Sequence, residues 1–111
     1  MGKTWTKPHA VIDNCAGAPP HLFKAKDGTL ICTYGHRKSV PYGIKAMFSF
    51  DGGKTWDTDH FLYENNISSD LGYPSTVELS DGSFITVFYA IDEKDGPAVI
   101  MQQKWRFEDE I

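Results

Sequence analysis

Short apolar stretches alternate with turn-forming residues along the whole chain, a pattern typical of β-strands, and no convincing helix is predicted. Residues 43–50 alternate between apolar and polar positions, which predicts a strand with one apolar face. Residues 29–35 are apolar on both faces, as expected for a strand buried between neighbouring sheets. The remaining strands are predicted at residues 8–13, 19–25, 58–64, 74–79, 83–90 and 97–105.

Two Asp-Gly pairs separate predicted strands and predict tight hairpins. Asp27-Gly28 lies between the strands at 19–25 and 29–35, and Asp81-Gly82 lies between those at 74–79 and 83–90. Asp-Gly is among the strongest short hairpin signals because both residues tolerate positive φ. The two pairs are 54 residues apart, so the hairpins belong to a repeated unit.

A second pair of matching sequences extends this repeat. Gly2-Lys3-Thr4-Trp5 recurs as Gly53-Lys54-Thr55-Trp56 at a spacing of 51 residues. A period of about 40 to 50 residues, filled with short strands, is typical of the blades of a β-propeller. The sequence therefore predicts an all-β protein of about two blades.

The residues from Ser49 to Trp56 carry the most specific motif. Asp51 can accept hydrogen bonds from its own turn, and Gly53 permits positive φ there. Trp56 provides an apolar anchor at the start of the next strand. With Ser49 and Thr55, these positions resemble the Asp-box of sialidases, Ser/Thr-x-Asp-x-Gly-x-Thr-Trp, in which they are structural.

Nearly the whole chain resembles the C-terminal third of the sialidase-like Asp-box (BNR-repeat) proteins. Besides the Asp-box, residues 34–37, 41–46, 70–74 and 81–89 carry this resemblance. It implies a six-bladed β-propeller and glycans as ligands. It also implies Tyr73 as catalytic nucleophile. Nearby Asp70 is the candidate base in place of the family's glutamate. Arg37 is the candidate substrate-binding group, because a planar guanidinium suits a carboxylate, and His36 and Tyr42 of the same loop are candidates with it. The sequence itself contains no evidence for a cofactor.

The chain departs from the sialidase pattern in its catalytic groups. The glutamate that activates the tyrosine would fall near Pro19, and the acid/base aspartate belongs to an early blade that this chain lacks. Arg37 and Arg106 are the two arginines of the sequence, so one copy has no triad to hold a carboxylate. Two functions stay open: a sialidase-like, glycoside hydrolase-like module, and a non-catalytic protein, either a lectin-like carbohydrate-binding homotrimer or a truncated propeller remnant.

The predicted strands do not divide into two equal blades. Residues 1–15 predict strand four of one blade, residues 16–66 a full blade, and residues 67–111 a three-stranded blade. Such a chain would expose an edge strand and two apolar sheet faces, which favour aggregation. Head-to-tail association into a homotrimer would cover both. The alternative is that the chain is the last third of a larger propeller.

Composition and charge exclude several partners. The 111 residues carry a formal net charge of −4, which argues against binding to nucleic acid or an anionic membrane. No apolar run approaches the roughly 18 residues that span a bilayer. No secretory signal is recognisable, so we expect a cytoplasmic protein unless the chain is a fragment of a secreted one. Cys15 and Cys32 lack metal-site spacing and are predicted to be free thiols.

Overall fold

A computed structural model describes residues 2–13, 15 and 19–107, which form two antiparallel sheets and contain no helix. Sheet 1 has the order β1-β2-β3-β4 and sheet 2 the order β5-β6-β7. The described residues therefore include no helix that could cross a membrane. The strands are β1 (His21–Lys24), β2 (Leu30–His36), β3 (Tyr42–Ser49), β4 (Asp57–Asn66), β5 (Gly72–Glu78), β6 (Phe84–Ile91) and β7 (Ala98–Trp105).

The all-β class is confirmed, as are seven of the eight predicted strands, with bounds that differ by a few residues. The strand predicted at residues 8–13 is wrong for the single chain, because residues 2–13 form no strand there and are mostly exposed. A strand needs a neighbour to hydrogen-bond its backbone, and within the described residues this segment has none. Both cysteines are free thiols, as predicted.

The two Asp-Gly hairpins have the same geometry, in agreement with their repeated sequence. Asp27 accepts a hydrogen bond from the amide of Thr29 at 2.9 Å, and Asp81 accepts one from the amide of Ser83 at 2.9 Å. Gly28 and Gly82 adopt φ angles of 93° and 85°. Only glycine adopts this region without strain, so each turn depends on it.

The core lies between the two sheets and is mostly aromatic. Phe84 of β6 stacks on Trp105 of β7, with ring centroids 4.6 Å apart, and meets Phe23 of β1 edge-on at 6.3 Å. A second cluster joins Ile44 of sheet 1 to Phe88 and Ala90 of sheet 2 and to Leu71, which precedes β5. Because both clusters combine residues of the two sheets, burial of these side chains holds the sheets together.

The outer faces of the two sheets differ in how they are covered. On sheet 1 the outer face is formed by Cys32, Tyr34 and Met47, which are buried beneath Ile12, Cys15 and Trp56. On sheet 2 apolar side chains are exposed: Val77, Val87 and Ile100. The predicted apolar outer faces are therefore present, and that of sheet 2 lies open to solvent in the single chain.

Thr33 has a polar atom that the core does not satisfy. Its side chain is fully buried, and among the described residues its Oγ1 is the buried side-chain atom without a hydrogen-bond partner. An unsatisfied buried hydroxyl costs about 1–3 kcal/mol. We therefore expect Thr33→Val to raise the free energy of unfolding by about 1 kcal/mol in urea denaturation.

Thr86 is the matched control for this substitution. It is also fully buried, but its Oγ1 lies 2.8 Å from Thr76 Oγ1 and accepts a hydrogen bond from Trp105 Nε1 at 2.9 Å. Thr86→Val leaves these partners unpaired and is expected to destabilise the protein. Equal losses of stability from both substitutions would contradict the assignment.

Candidate functional site

Four residues meet where β5 begins and β6 ends, and we call them the tyrosine cluster: Arg37, Asp70, Tyr73 and Tyr89. The Tyr89 hydroxyl donates a hydrogen bond to Asp70 Oδ1 at 2.7 Å. The rings of Tyr73 and Tyr89 are 6.0 Å apart between centroids. Arg37 follows β2 and lies close enough to hydrogen-bond the Tyr89 hydroxyl. The cluster thus combines a carboxylate, a guanidinium and two phenol rings.

The backbone at the start of β5 turns Tyr73 toward solvent. Its neighbours Leu71 and Pro74 are buried, whereas Tyr73 is 66% exposed. Gly72 and Tyr73 adopt φ angles of 146° and 51°, and the β5–β6 register shifts between Gly72 and Ser75. Positive φ in a bulky residue costs about 1–3 kcal/mol and occurs in turns as well as at functional sites. This strained backbone presents the Tyr73 ring at the surface.

The electrostatics of the cluster keep Tyr89 protonated. Burial raises the pKa of the Tyr89 hydroxyl, and both the hydrogen bond to Asp70 and the carboxylate charge raise it further, while Arg37 lowers it. The net direction is upward, so at neutral pH Tyr89 is a phenol that donates to Asp70. It serves as a hydrogen-bonding group that orients the carboxylate, and it is a poor nucleophile.

His36 lies apart from the tyrosine cluster although it precedes Arg37 in the chain. Successive residues of a strand point to opposite faces, and His36 points to the outer face of sheet 1. There it meets Phe61 edge-on at 5.6 Å. It lines a cavity of about 460 Å³ with Tyr34, Lys45 and Asp59. Burial, and then the charge of Lys45, lower the pKa of His36.

Tyr42 packs into the core between the sheets. It is half-buried against the cluster that contains Leu71 and Ala90, which are the chain neighbours of Asp70 and Tyr89. The structure therefore brings Arg37, Asp70 and Tyr73 together and gives Tyr42 a packing position beside them. Whether His36 or Tyr42 contacts a ligand stays a prediction.

Tyr89 was not among the predicted site residues, although the sequence contains a signal for it. The Asp81-Gly82 hairpin fixes the register of β5 and β6, in which Ser75 lies opposite Val87. Counting two residues outward along each strand places Tyr73 and Tyr89 on the same face at the same end of the sheet. The register of the hairpin therefore points to the pair.

The Asp-box residues form a closed turn between β3 and β4 and are not arranged for catalysis. Asp51 accepts hydrogen bonds from Ser49 Oγ at 2.9 Å, from the Thr55 amide at 2.9 Å and from Thr55 Oγ1 at 2.6 Å. The Gly53 amide donates to Ser49 Oγ at 2.8 Å. Trp56 then packs on the outer face of sheet 1. Each of the five motif positions thus has a structural contact.

The Asp-box turn makes the stability of the fold depend on pH in the acidic range. Hydrogen bonds from Thr55 lower the pKa of Asp51 from 3.8 to about 2. A carboxyl whose folded pKa is depressed stabilises the fold above its unfolded pKa, and this stabilisation is lost as pH falls through the folded pKa. We expect the melting temperature to fall between about pH 4 and pH 2. Asp81, with a pKa also lowered to about 2, contributes in the same window.

The variant Asp51→Asn distinguishes the contribution of Asp51 to this pH dependence from that of Asp81. At pH 7 its melting temperature is expected to lie below that of the wild type. The difference is expected to shrink as pH approaches 2, because protonated Asp51 no longer stabilises the turn as a carboxylate. Thermal melts at several pH values measure this. A difference that stays constant from pH 7 to pH 2 would show that the Asp51 charge does not support the turn.

Within the described residues, no group of three or more His, Cys, Asp or Glu side chains could hold a metal ion. Comparisons with protein-family models, with curated proteins and with solved structures found no match. Functional assignment therefore depends on the residues themselves and on their geometry.

Proposed function

We propose that this chain binds carbohydrate at the tyrosine cluster without hydrolysing it. The observation that carries the proposal is the hydrogen bond of Tyr89 to Asp70, 2.7 Å long, beside the exposed ring of Tyr73. An aromatic platform next to oriented polar groups suits a ligand that has both an apolar ring face and many hydroxyls. Ligand sites commonly combine apolar walls with a few placed polar groups of this kind.

Each group in the cluster offers a distinct contact to a sugar. The Tyr73 ring offers an exposed apolar face, and large apolar faces of this kind contribute much of the energy of binding. Asp70 keeps acceptor capacity beyond its bond to Tyr89, so it can accept hydrogen bonds from sugar hydroxyls. Arg37 carries a planar guanidinium, which suits a sugar carboxylate, so acidic sugars are the preferred class.

Hydrolysis is the less supported of the two functions that the sequence left open. Most glycosidases use a pair of carboxylates, and in the cluster Asp70 is the carboxylate. A tyrosine nucleophile needs a partner that lowers its pKa, whereas the pKa of Tyr89 is raised and the Tyr89 hydroxyl occupies Asp70 Oδ1. At Tyr89 a ligand would therefore meet a hydrogen-bonding phenol and not an activated nucleophile.

We also propose that sheets 1 and 2 are consecutive blades of a sialidase-type, six-bladed Asp-box propeller. Three observations support this finer description of the all-β fold. The sheets pack face to face, their first hairpins have the same geometry, and the Asp-box forms the turn between the third and fourth strands of sheet 1. Blades stacked around an axis would place the tyrosine cluster at one rim.

The test is binding to a panel of immobilised acidic and neutral glycans, together with turnover of fluorogenic glycosides that include a sialoside. The wild type is expected to retain acidic glycans and to release no fluorophore. Tyr73→Ala and Arg37→Ala are expected to weaken retention about tenfold or more, as expected for loss of a central contact. Phe50→Ala is the matched control, because Phe50 is 68% exposed and lies outside the cluster.

Three results would overturn the proposal. Binding that Tyr73→Ala and Arg37→Ala leave unchanged would place the site elsewhere on the chain. Absence of binding to every glycan would remove carbohydrates as the ligand class. Turnover that is lost in Asp70→Asn would make the chain an enzyme and Asp70 its base.

A further inference from the structure

Residues 6–13, which we call the N-terminal segment, contact the outer face of sheet 1 through Ile12, as β4 contacts sheet 2 through Tyr63. Ile12 packs on the cluster that contains Tyr34. The repeat spacings of 51 and 54 residues make Ile12 equivalent to Tyr63 of β4 and Tyr34 equivalent to Phe88 of β6. Tyr63 and Phe88 are in contact, with ring centroids 5.1 Å apart. One contact is therefore the counterpart of the other.

The equivalence identifies what the N-terminal segment lacks. β4 is the fourth strand of sheet 1 and pairs with β3, whereas the segment forms no strand and, within the described residues, pairs with none. Its position is that of the outermost strand of a further sheet that would stack on the outer face of sheet 1. The part of the chain that the structure describes supplies no inner strands for that sheet.

Within the described residues, β5, β6 and β7 form a three-stranded sheet with no fourth, outermost strand. Among the described strands, β7 pairs with β6 alone, so one edge of its eight residues is free. A free edge presents unpaired backbone groups that can bind an added strand. Its outer face carries exposed Ile100, at 77%, with Val77 and Val87. The sheet thus offers the edge and the apolar face that the N-terminal segment and sheet 1 could cover.

The N-terminal segment cannot reach β7 of its own chain. Ile12 lies on the outer face of sheet 1, and sheet 2 packs on the opposite face through Ile31, Ala46 and Phe48. Sheet 1 therefore separates the two. We propose that β7 of a second copy of this chain pairs with the N-terminal segment, so that its three strands and the segment form one four-stranded sheet on the outer face of sheet 1.

The register of this pairing follows from sheet 1. Leu30 of β2 pairs with Ser49 of β3, and Phe84, the equivalent of Leu30 in β6, pairs with Trp105 of β7. Each position in β7 is therefore equivalent to the position 56 residues earlier in β3. The pairing of Ile44 with Tyr63 then places Ile100 opposite Ile12 of the partner subunit. The exposed Ile100 side chain gains an apolar cross-strand neighbour, an interaction that stabilises antiparallel sheets.

Trp5 supplies a second contact. It is equivalent to Trp56, which packs beside Met47, but Trp5 is 87% exposed in the single chain. The equivalent of Met47 in sheet 2 is Gln103, which lines a cavity of about 370 Å³ with Trp105. Trp5 of one copy therefore lies beside this aromatic-lined cavity of the next. Because each copy donates a segment and accepts one, association runs head to tail and closes into a ring. Each chain contributes two sheets, so a ring of six sheets contains three chains.

Light scattering after size exclusion tests the association. The wild type is expected to have a single mass, three times that of one chain. Trp5→Ala and Ile100→Glu are expected to give monomers with unchanged circular dichroism, since both side chains are exposed in the single chain. Val40→Glu is the control. Val40 is also exposed, at 73%, but it lies in the loop before β3, outside the proposed contact, so this variant is expected to remain associated. A monomeric wild type, or variants that still associate, would overturn the proposal.

Cysteine pairs test the register. The pairing of Ala46 with His60 places Gln102 opposite His9 of the partner subunit. In a Cys15→Ser background, a mixture of His9→Cys and Gln102→Cys chains is expected to form disulfide-linked dimers under mild oxidation. Gln103→Cys replaces Gln102→Cys in the control, because adjacent strand positions point to opposite faces. Equal crosslinking in both mixtures, or crosslinking in neither, would overturn the register.

Discussion

Phe84→Ala is expected to lower the free energy of unfolding by about 3–5 kcal/mol, the range for loss of a buried aromatic ring. Phe84 is 2% exposed and lies between the two sheets, in contact with Trp105, Phe23 and Phe107. Removal of the ring leaves a cavity that Trp105 and Phe23 cannot fill by a small shift, because each is held by its own strand. A domain of this size typically has about 5–15 kcal/mol of stability, so the loss is a large fraction of the total.

Urea denaturation followed by tryptophan fluorescence measures this loss, since Trp105 stacks on the deleted ring. Ile85→Ala is the matched control, because Ile85 follows Phe84 in β6 but is half-buried on the outer face of sheet 2. Its cost is expected to be clearly smaller. A Phe84→Ala loss no larger than that of Ile85→Ala would mean that the two sheets do not pack through this ring.

Gly43→Ala is expected to destabilise the protein by about 3 kcal/mol or more, at the upper end of the cost of overpacking. A Cβ atom at Gly43 would lie 2.0 Å from the carbonyl oxygen of Tyr63 and 2.9 Å from the Cα of Glu64. Both are backbone atoms, so no side-chain rotation relieves the clash. The substitution therefore forces β3 and β4 apart where their register is already irregular, between Tyr42 and Ile44.

Gly82→Ala separates this steric effect from the conformational freedom of glycine. A Cβ at Gly82 would meet nothing within 4 Å, but the residue has a φ of 85°. The expected cost is the strain of a left-handed residue, about 1–2 kcal/mol. Urea titrations of both variants measure the difference. If Gly43→Ala costs no more than Gly82→Ala, the close approach of β3 and β4 at Gly43 is incorrect.

The strands of both sheets could be predicted because their signals are local. Alternation defines β3, and the Asp-Gly pairs fix the hairpins that join β1 to β2 and β5 to β6. The Asp-box was equally predictable, since Asp51 bonds within its own turn. The strand at residues 8–13 has the same kind of local signal, but its formation depends on a neighbouring strand, and the described residues place none beside it.

The candidate site was predictable only in part. Asp70 and Tyr73 are close in sequence, so their proximity required no knowledge of the fold. Arg37 reaches them only because sheets 1 and 2 pack together, a contact that no local pattern specifies. Regular alternation from Ser75 and Val87 predicts that Tyr73 and Tyr89 are neighbours, but the register shift between Gly72 and Ser75, which places Gly72 opposite Tyr89, could not be predicted from it. His36, in contrast, is next to Arg37 in the sequence but lies apart from the cluster, because successive residues of a strand point to opposite faces.

Carbohydrate binding at the tyrosine cluster is tested most directly by the tyrosine ring signals in NMR spectra during a titration with the glycan that the panel retains best. The chain has five tyrosines, so the rings outside the cluster serve as internal controls. The signals of Tyr73 and Tyr89 are expected to shift with saturation, while that of Tyr34, in the cavity beside His36, stays in place. A shift of Tyr34 with Tyr73 and Tyr89 unchanged would contradict the proposed site.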